Sequence, residues 1–228
     1  MKQFILLTAF FLFNSSFSQE TKFEKPNYKA IEKEITKKNS EYYYEDLLNK
    51  FNVGDSTLTL EQKRHFYYGF TFQSKYSTSY HSDAEKKLRE VLNKEKLEEN
   101  DYDKIINYGE EILKVNPFDL NVLDYLVYTY QIKKDLINYN KRLNQMRIII
   151  DPILSSGDGV EKKSPIYVIN VSHEYFILNV VGLNFGGTQS LVDGRFDYLK
   201  VAENENKIEG IYFDITPSLE KLNKMFKD

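Results

Sequence analysis

The chain has no cysteine and no tryptophan in 228 residues. Without cysteine there are no disulfides, no thiolate metal sites, no cysteine nucleophile and no lipid-modified N-terminal cysteine. The fold must be held by packing alone. Histidine is nearly as scarce: His65, His81 and His173 stand apart in the sequence, and none lies in a His-Glu-x-x-His arrangement. His81 has Asp83 and Glu85 nearby, yet no second histidine at ligand spacing, so isolated surface groups are the simpler reading. Asp158 and Glu161 lack the alternating Asp and Asn run of a calcium loop. Also missing are a Gly-x-Ser-x-Gly nucleophile elbow and a phosphate-binding Walker loop. No cofactor is expected.

A basic excess is missing as well. There are 31 Lys and Arg against 34 Asp and Glu, a net charge of -3. Residues 1–18 hold Lys2 and no acid, so their removal leaves 30 against 34, or -4. That balance argues against nucleic acid as a partner and against a polybasic membrane patch.

Aromatic rings are plentiful: 18 Tyr and 16 Phe. Tyrosine packs an apolar ring and keeps a polar tip, so these residues suit a core and its rim. Hydrophobic residues at 41% and charged residues at 29% fit a folded chain rather than a disordered one.

Residues 1–18 read as a secretory signal peptide. Lys2 is the charged start, Phe4 to Phe13 the apolar stretch, and Ser16-Phe17-Ser18 the small-residue cleavage site before Gln19. The apolar run is shorter than the roughly 20 residues a membrane-spanning helix needs. The chain is therefore expected to be exported and cleaved, periplasmic or secreted, with no transmembrane segment afterwards.

Residues 19–26 read as a flexible leader ending at Pro26, and residues 27–156 as a helical region. Asn27 caps a helix from Tyr28 to about Lys38, with Tyr28, Ile31 and Ile35 on one face. Tyr42 to Phe51 forms the next. Thr59 and Gln62 make a capping box, so a helix starts there and carries five aromatic residues between Phe66 and Phe72. A charged helix follows from about Ser82 to Leu97. From Asn100 to about Met146 the chain resembles a tetratricopeptide repeat: Asn116-Pro117 ends one helix, and Leu123, Leu126 and Tyr130 take packing positions. Gly109, Val127 and Tyr139 depart from that pattern. Only about one and a half repeats are covered, which is too few for a free-standing array.

Residues 157–165 are expected to be a linker and residues 166–228 a small α/β region packed on the helices. Ile166 to Val171 suits a buried strand, and Ser172 caps a short helix with Tyr175, Leu178 and Val181 in phase. Phe185 to Val192 and Phe196 to Ala202 are two strands joined at Asp193-Gly194, a strong hairpin signal. Gly186-Gly187-Thr188 marks a bulge or tight bend. Ile211 to Ile215 is a further strand, and Thr216-Pro217 opens a terminal helix. The fold class is α+β, mostly helical first, with a small sheet and short helices after it.

The set most like a binding surface is Arg64, His65, Tyr67, Tyr68 and Tyr76, an aromatic and basic group suited to stacking on peptide or carbohydrate, with core packing between helices as the other reading of aromatics at this spacing. Glu110-Glu111, or Glu203 with Glu205, supply carboxylates for an acid/base pair, although 34 acids produce such neighbours by chance.

Three stretches together resemble domain-of-unknown-function family 4919. They are Gly54 to Glu61 leading to Tyr67-Tyr68-Gly69-Phe70, Tyr167 to Ser172 leading to Glu174-Tyr175, and Glu209 to Asp214. The resemblance covers roughly Tyr42 to Ile215. It implies an exported protein of Bacteroidota-type bacteria, and it carries no catalytic residue across. The expected function is a non-catalytic binding or assembly module of the cell envelope, its partner another envelope protein or a peptide. The alternatives are a hydrolase of an envelope polymer using paired carboxylates, or a small-ligand carrier with an aromatic pocket between the two halves.

Overall fold

The computed structural model describes residues 23–80 and 82–225. The expected signal peptide, the start of the leader and His81 lie outside the described residues.

Local sequence sets the helix ends. Helix α1 (Tyr28–Ile35) starts at Asn27, whose Oδ1 accepts the Ala30 N–H at 3.1 Å. Helix α2 (Tyr44–Val53) stops at Gly54, which takes the left-handed conformation with φ +70°. Helix α3 (Leu60–Gly69) carries both bonds of the expected box. Gln62 N–H donates to Thr59 Oγ1 at 3.2 Å, and Thr59 N–H donates to Gln62 Oε1 at 3.0 Å. A 3-10 turn (Phe70–Phe72) follows it. Ser82 caps α4 (Asp83–Leu92), which is shorter than expected.

Helices α5 (Glu99–Val115), α6 (Leu120–Ile132) and α7 (Leu136–Leu154) pack in succession, α4 on α5, α5 on α6 and α6 on α7. Gly109 of α5 faces Leu126 of α6, and a Cβ there would sit 2.9 Å from Leu126 Cδ2. An aromatic has no room at this position. Helix α3 covers α7, so the helical layer folds back on its own beginning.

The C-terminal part is a mixed four-stranded sheet in the order β1-β4-β3-β2, with β1 (Ile166–Tyr167), β2 (Phe185–Val192), β3 (Phe196–Val201) and β4 (Gly210–Asp214). Strand β1 runs parallel to β4, and the other pairs are antiparallel. The β2–β3 turn has Asp193 and Gly194 at positive φ, closed by Arg195 N–H to Val192 O at 3.2 Å. The glycines before Gln189 form the expected irregularity: the register shifts between Phe185 and Gln189, with Gly187 at φ +90°.

Three expectations fail locally. Strand β1 ends at Tyr167 because Ile169 N–H donates to the Tyr67 hydroxyl and Ile169 O accepts from Tyr76, leaving that backbone no sheet partner. Ser172 is the first residue of α8 (Ser172–Val180) rather than its cap, and Asn170 Oδ1 takes both its N–H and its hydroxyl. Of the proposed stripe Tyr175, Leu178 and Val181, only Leu178 is buried; the inward residues are His173, Glu174, Phe176, Ile177 and Leu178.

Residues 157–165 form a closed loop, with Gly159 N–H on Ser164 O and Tyr212 N–H on Gly159 O, both at 2.8 Å. The loop is thus seated on β4. Helix α9 (Thr216–Met225) ends the described chain. Ile31, Leu47, Phe66, Leu123, Ile149, Ile177, Leu199 and Phe213 belong to one contiguous core, so the helices and the sheet share it. The architecture is α+β with helices first.

Candidate functional site

The aromatic and basic set expected as a surface is instead an internal clasp. Tyr67 and Tyr68 are wholly buried, Arg64 and Tyr76 nearly so, and His65 is half-buried against the Tyr42 ring at 3.9 Å. Each polar end has a protein partner. Arg64 donates to Ser155 Oγ and Glu24 O, both at 2.7 Å. The Tyr68 hydroxyl donates to Pro152 O at 3.1 Å and the Tyr76 hydroxyl to Ile169 O at 2.7 Å. Helical spacing marks the aromatic face correctly, but these hydroxyls end on backbone carbonyls rather than in water.

Tyr67 bonds to His173 of α8. Phe118 O lies 2.9 Å from His173 Nε2 and can only accept, so Nε2 carries the proton and Nδ1 accepts from Tyr67. Burial lowers the His173 pKa to about 4, and the ring is neutral. Both ring nitrogens are occupied, so His173 has no lone pair left for a substrate.

The carboxylates singled out by adjacency do not pair. Glu110 is bonded to Arg142 Nη2 and to the Tyr130 hydroxyl, while Glu111, Glu203 and Glu205 are exposed. The pair the fold does build is Glu174 of α8 with Asp197 of β3, both buried. Asp197 sits opposite Leu191 in the ladder, so Gln189 of β2, two residues from Leu191, lies on the same face. Gln189 Nε2 donates to Asp197 Oδ2 at 2.6 Å and to Glu174 Oε2 at 3.3 Å. The Tyr175 hydroxyl donates to Gln189 Oε1 at 2.5 Å.

Burial, then the Asp197 charge, pushes Glu174 up to about 9. Burial also raises Asp197, against bonds from Gln189 and Glu174. Glu174 Oε1 is sealed from solvent with no separate partner. A protonated Glu174 that shares its hydrogen with Asp197 accounts for both facts. The arrangement holds one acid and one base side by side. Sequence reasoning missed it because each residue stands alone in an apolar run; the one signal was a charge at an inward position, Glu174 before Tyr175-Phe176-Ile177-Leu178 and Asp197 between Phe196 and Tyr198.

Strand β2 roofs this pair. It is one of the two edge strands of the sheet, carries no charged residue, and is exposed along nearly its whole length. Phe185 (39% exposed) meets the Tyr175 ring (38%) edge-on at 5.3 Å, and Leu191 is 55% exposed. Among the described residues no three His, Asp or Glu side chains are grouped as metal ligands, and no helix is long and apolar enough to cross a membrane.

Comparison with curated proteins and with solved structures finds no match. A family model does match, over residues 29–224, which is most of the chain and both of its halves. The chain therefore belongs to the family described as domain of unknown function DUF4919.

Proposed function

We propose that the protein is a non-catalytic binding or assembly module of the cell envelope, and that its docking element is the outer edge of β2. Export rests on the signal-like residues 1–18. The observation that carries the docking assignment is the character of β2. Sheet edges are normally blunted by charge, proline or a cover, and Gln189–Val192 beyond the bulge has none of these. An extended peptide segment of another envelope protein pairs with such an edge through its backbone, while Phe185 and Leu191 supply apolar contact.

The test is a photo-crosslinker at Ser190, read by mass spectrometry in the native host, in the wild type and in Leu191→Lys. A specific partner that disappears in Leu191→Lys supports the reading. Equal crosslinking in both, or none above an unrelated exported protein, rejects it.

A second reading, hydrolysis of an envelope polymer, is favoured by one observation: the Glu174–Asp197 pair sets an acid beside a base. Release of fragments from isolated envelope polymer that stops in Glu174→Gln would establish it.

A further inference from the structure

A cavity of about 220 Å³ lies between the helical half and α9. Its inner wall is aromatic: Tyr28, Phe72 and Tyr76, with the Tyr28 and Phe72 rings edge-on at 6.4 Å. That wall offers a ligand almost no hydrogen bonding. The Tyr76 hydroxyl is held by Ile169 O and the Thr71 hydroxyl by Tyr68 O, and the Tyr28 hydroxyl oxygen, though without a protein partner, is sealed from solvent. Pro217 of α9 closes the opposite side with another apolar ring.

The remaining lining is two hydroxyl residues, Thr71 and Thr216, and a charged set. Glu220, Lys221 and Lys224 also border the cavity from α9. Positions three apart on a helix share a face, so both ammonium groups lie on one side. Within the described residues neither lysine has an acidic partner within ion-pairing distance, and Glu220 pairs with neither of them. The rim therefore carries one net positive charge beside an apolar interior.

We propose that this cavity binds a small monocarboxylic acid with an apolar body, its carboxylate on Lys221 and Lys224. The volume sets the size. A dry cavity of about 150 Å³ takes a benzene ring, and drug-sized sites start near 300 Å³. A space of about 220 Å³ fits one ring or a short chain together with its carboxylate. Glu220 sets the charge, because two lysines beside one glutamate favour a single negative charge over two. This assignment is independent of the β2 edge and uses none of its residues.

The test is calorimetric titration of the full-length chain with benzoate, phenylacetate and hexanoate, each beside its neutral amide. The double variant Lys221→Gln/Lys224→Gln is titrated in parallel; both side chains lie outside the core, and an unchanged circular dichroism spectrum checks folding. At least one acid is expected to bind tenfold or more tightly than its amide. The double variant is expected to lose that tenfold preference and keep the amide affinity. Equal binding of acid and amide, an acid affinity untouched in the double variant, or no binding of any of the three acids overturns the proposal.

Discussion

Tyr67 Oη and His173 Nδ1 lie 2.8 Å apart, although the residues are 106 positions apart in sequence. The same hydroxyl accepts the Ile169 N–H at 3.2 Å, and the same imidazole donates to Phe118 O at 2.9 Å. Four groups from α3, the α5–α6 connection, the segment after β1 and α8 thus satisfy one another without water. Tyr67→Phe keeps the ring and removes only the oxygen. It leaves the Ile169 N–H and His173 Nδ1 buried and unpaired, at about 1–3 kcal/mol for each group. A loss of roughly 2–6 kcal/mol in urea unfolding, with an unchanged m value, is expected. A change below about 0.5 kcal/mol would contradict the bonding scheme.

His173 and Glu174 are neighbours with opposite demands on pH. His173 titrates near 4 when folded against 6.5 ordinarily, so the unfolded chain binds the extra proton, and this contribution is lost as pH falls from 6.5 toward 4. Glu174 titrates near 9 against 4.5, so the folded chain holds the proton, and this contribution is lost as pH rises from 4.5 toward 9. Above pH 6.5 Glu174 acts unopposed by His173, and stability should decline from there toward pH 9. Asp124, raised to about 6, titrates below this window. Glu174→Gln cannot ionise and should flatten the alkaline decline. Melting temperatures from pH 6.5 to 9 measure it, and an equal decline in the variant would place the proton elsewhere.

Thr59→Ala removes the oxygen that accepts the Gln62 N–H at the start of α3. The expected loss is about 1 kcal/mol, typical of an N-cap threonine. Denaturant melts of the two proteins under one condition decide this, and no shift in midpoint would mean that packing alone positions α3.

Gly54→Ala should cost more, at least about 2 kcal/mol. The residue has φ +70°, and an added Cβ would lie 2.7 Å from Lys141 O, a backbone atom that cannot swing aside. A variant as stable as the wild type would show that the α2–α3 turn relaxes freely against α7.

What the sequence made legible depended on the range of each interaction. Thr59 with Gln62, Asn27 with Ala30, and Asp193-Gly194 act within a few residues, and each helix start or turn was readable. The order of helices, then strands, followed from periodicity. The extent of β1 did not, because Ile169 is claimed by Tyr67 and Tyr76 from far upstream. For the same reason Tyr67, Tyr68 and Tyr76 read as an outward binding set: their spacing identifies a face, while the acceptors of their hydroxyls come from distant chain. The Glu174–Asp197 pair needed α8, β2 and β3 in place before it existed. In sequence each carboxylate looks like an ordinary solvated charge, and only burial makes them a pair.

The joining of the two halves also constrains how the chain is made. The hydroxyls of Tyr68, Tyr76 and Tyr67 meet backbone partners 84, 93 and 102 positions downstream. Helix α3 emerges from the ribosome long before those partners do. Until residue 169 has followed, the Tyr67 and Tyr76 hydroxyls lack the Ile169 backbone they bond in the finished fold, and the helical half is an unfinished object. A nascent chain stalled or truncated after α7 lacks the backbone that would bond Tyr67 and Tyr76. Completion of this clasp therefore waits until most of the protein has been synthesised.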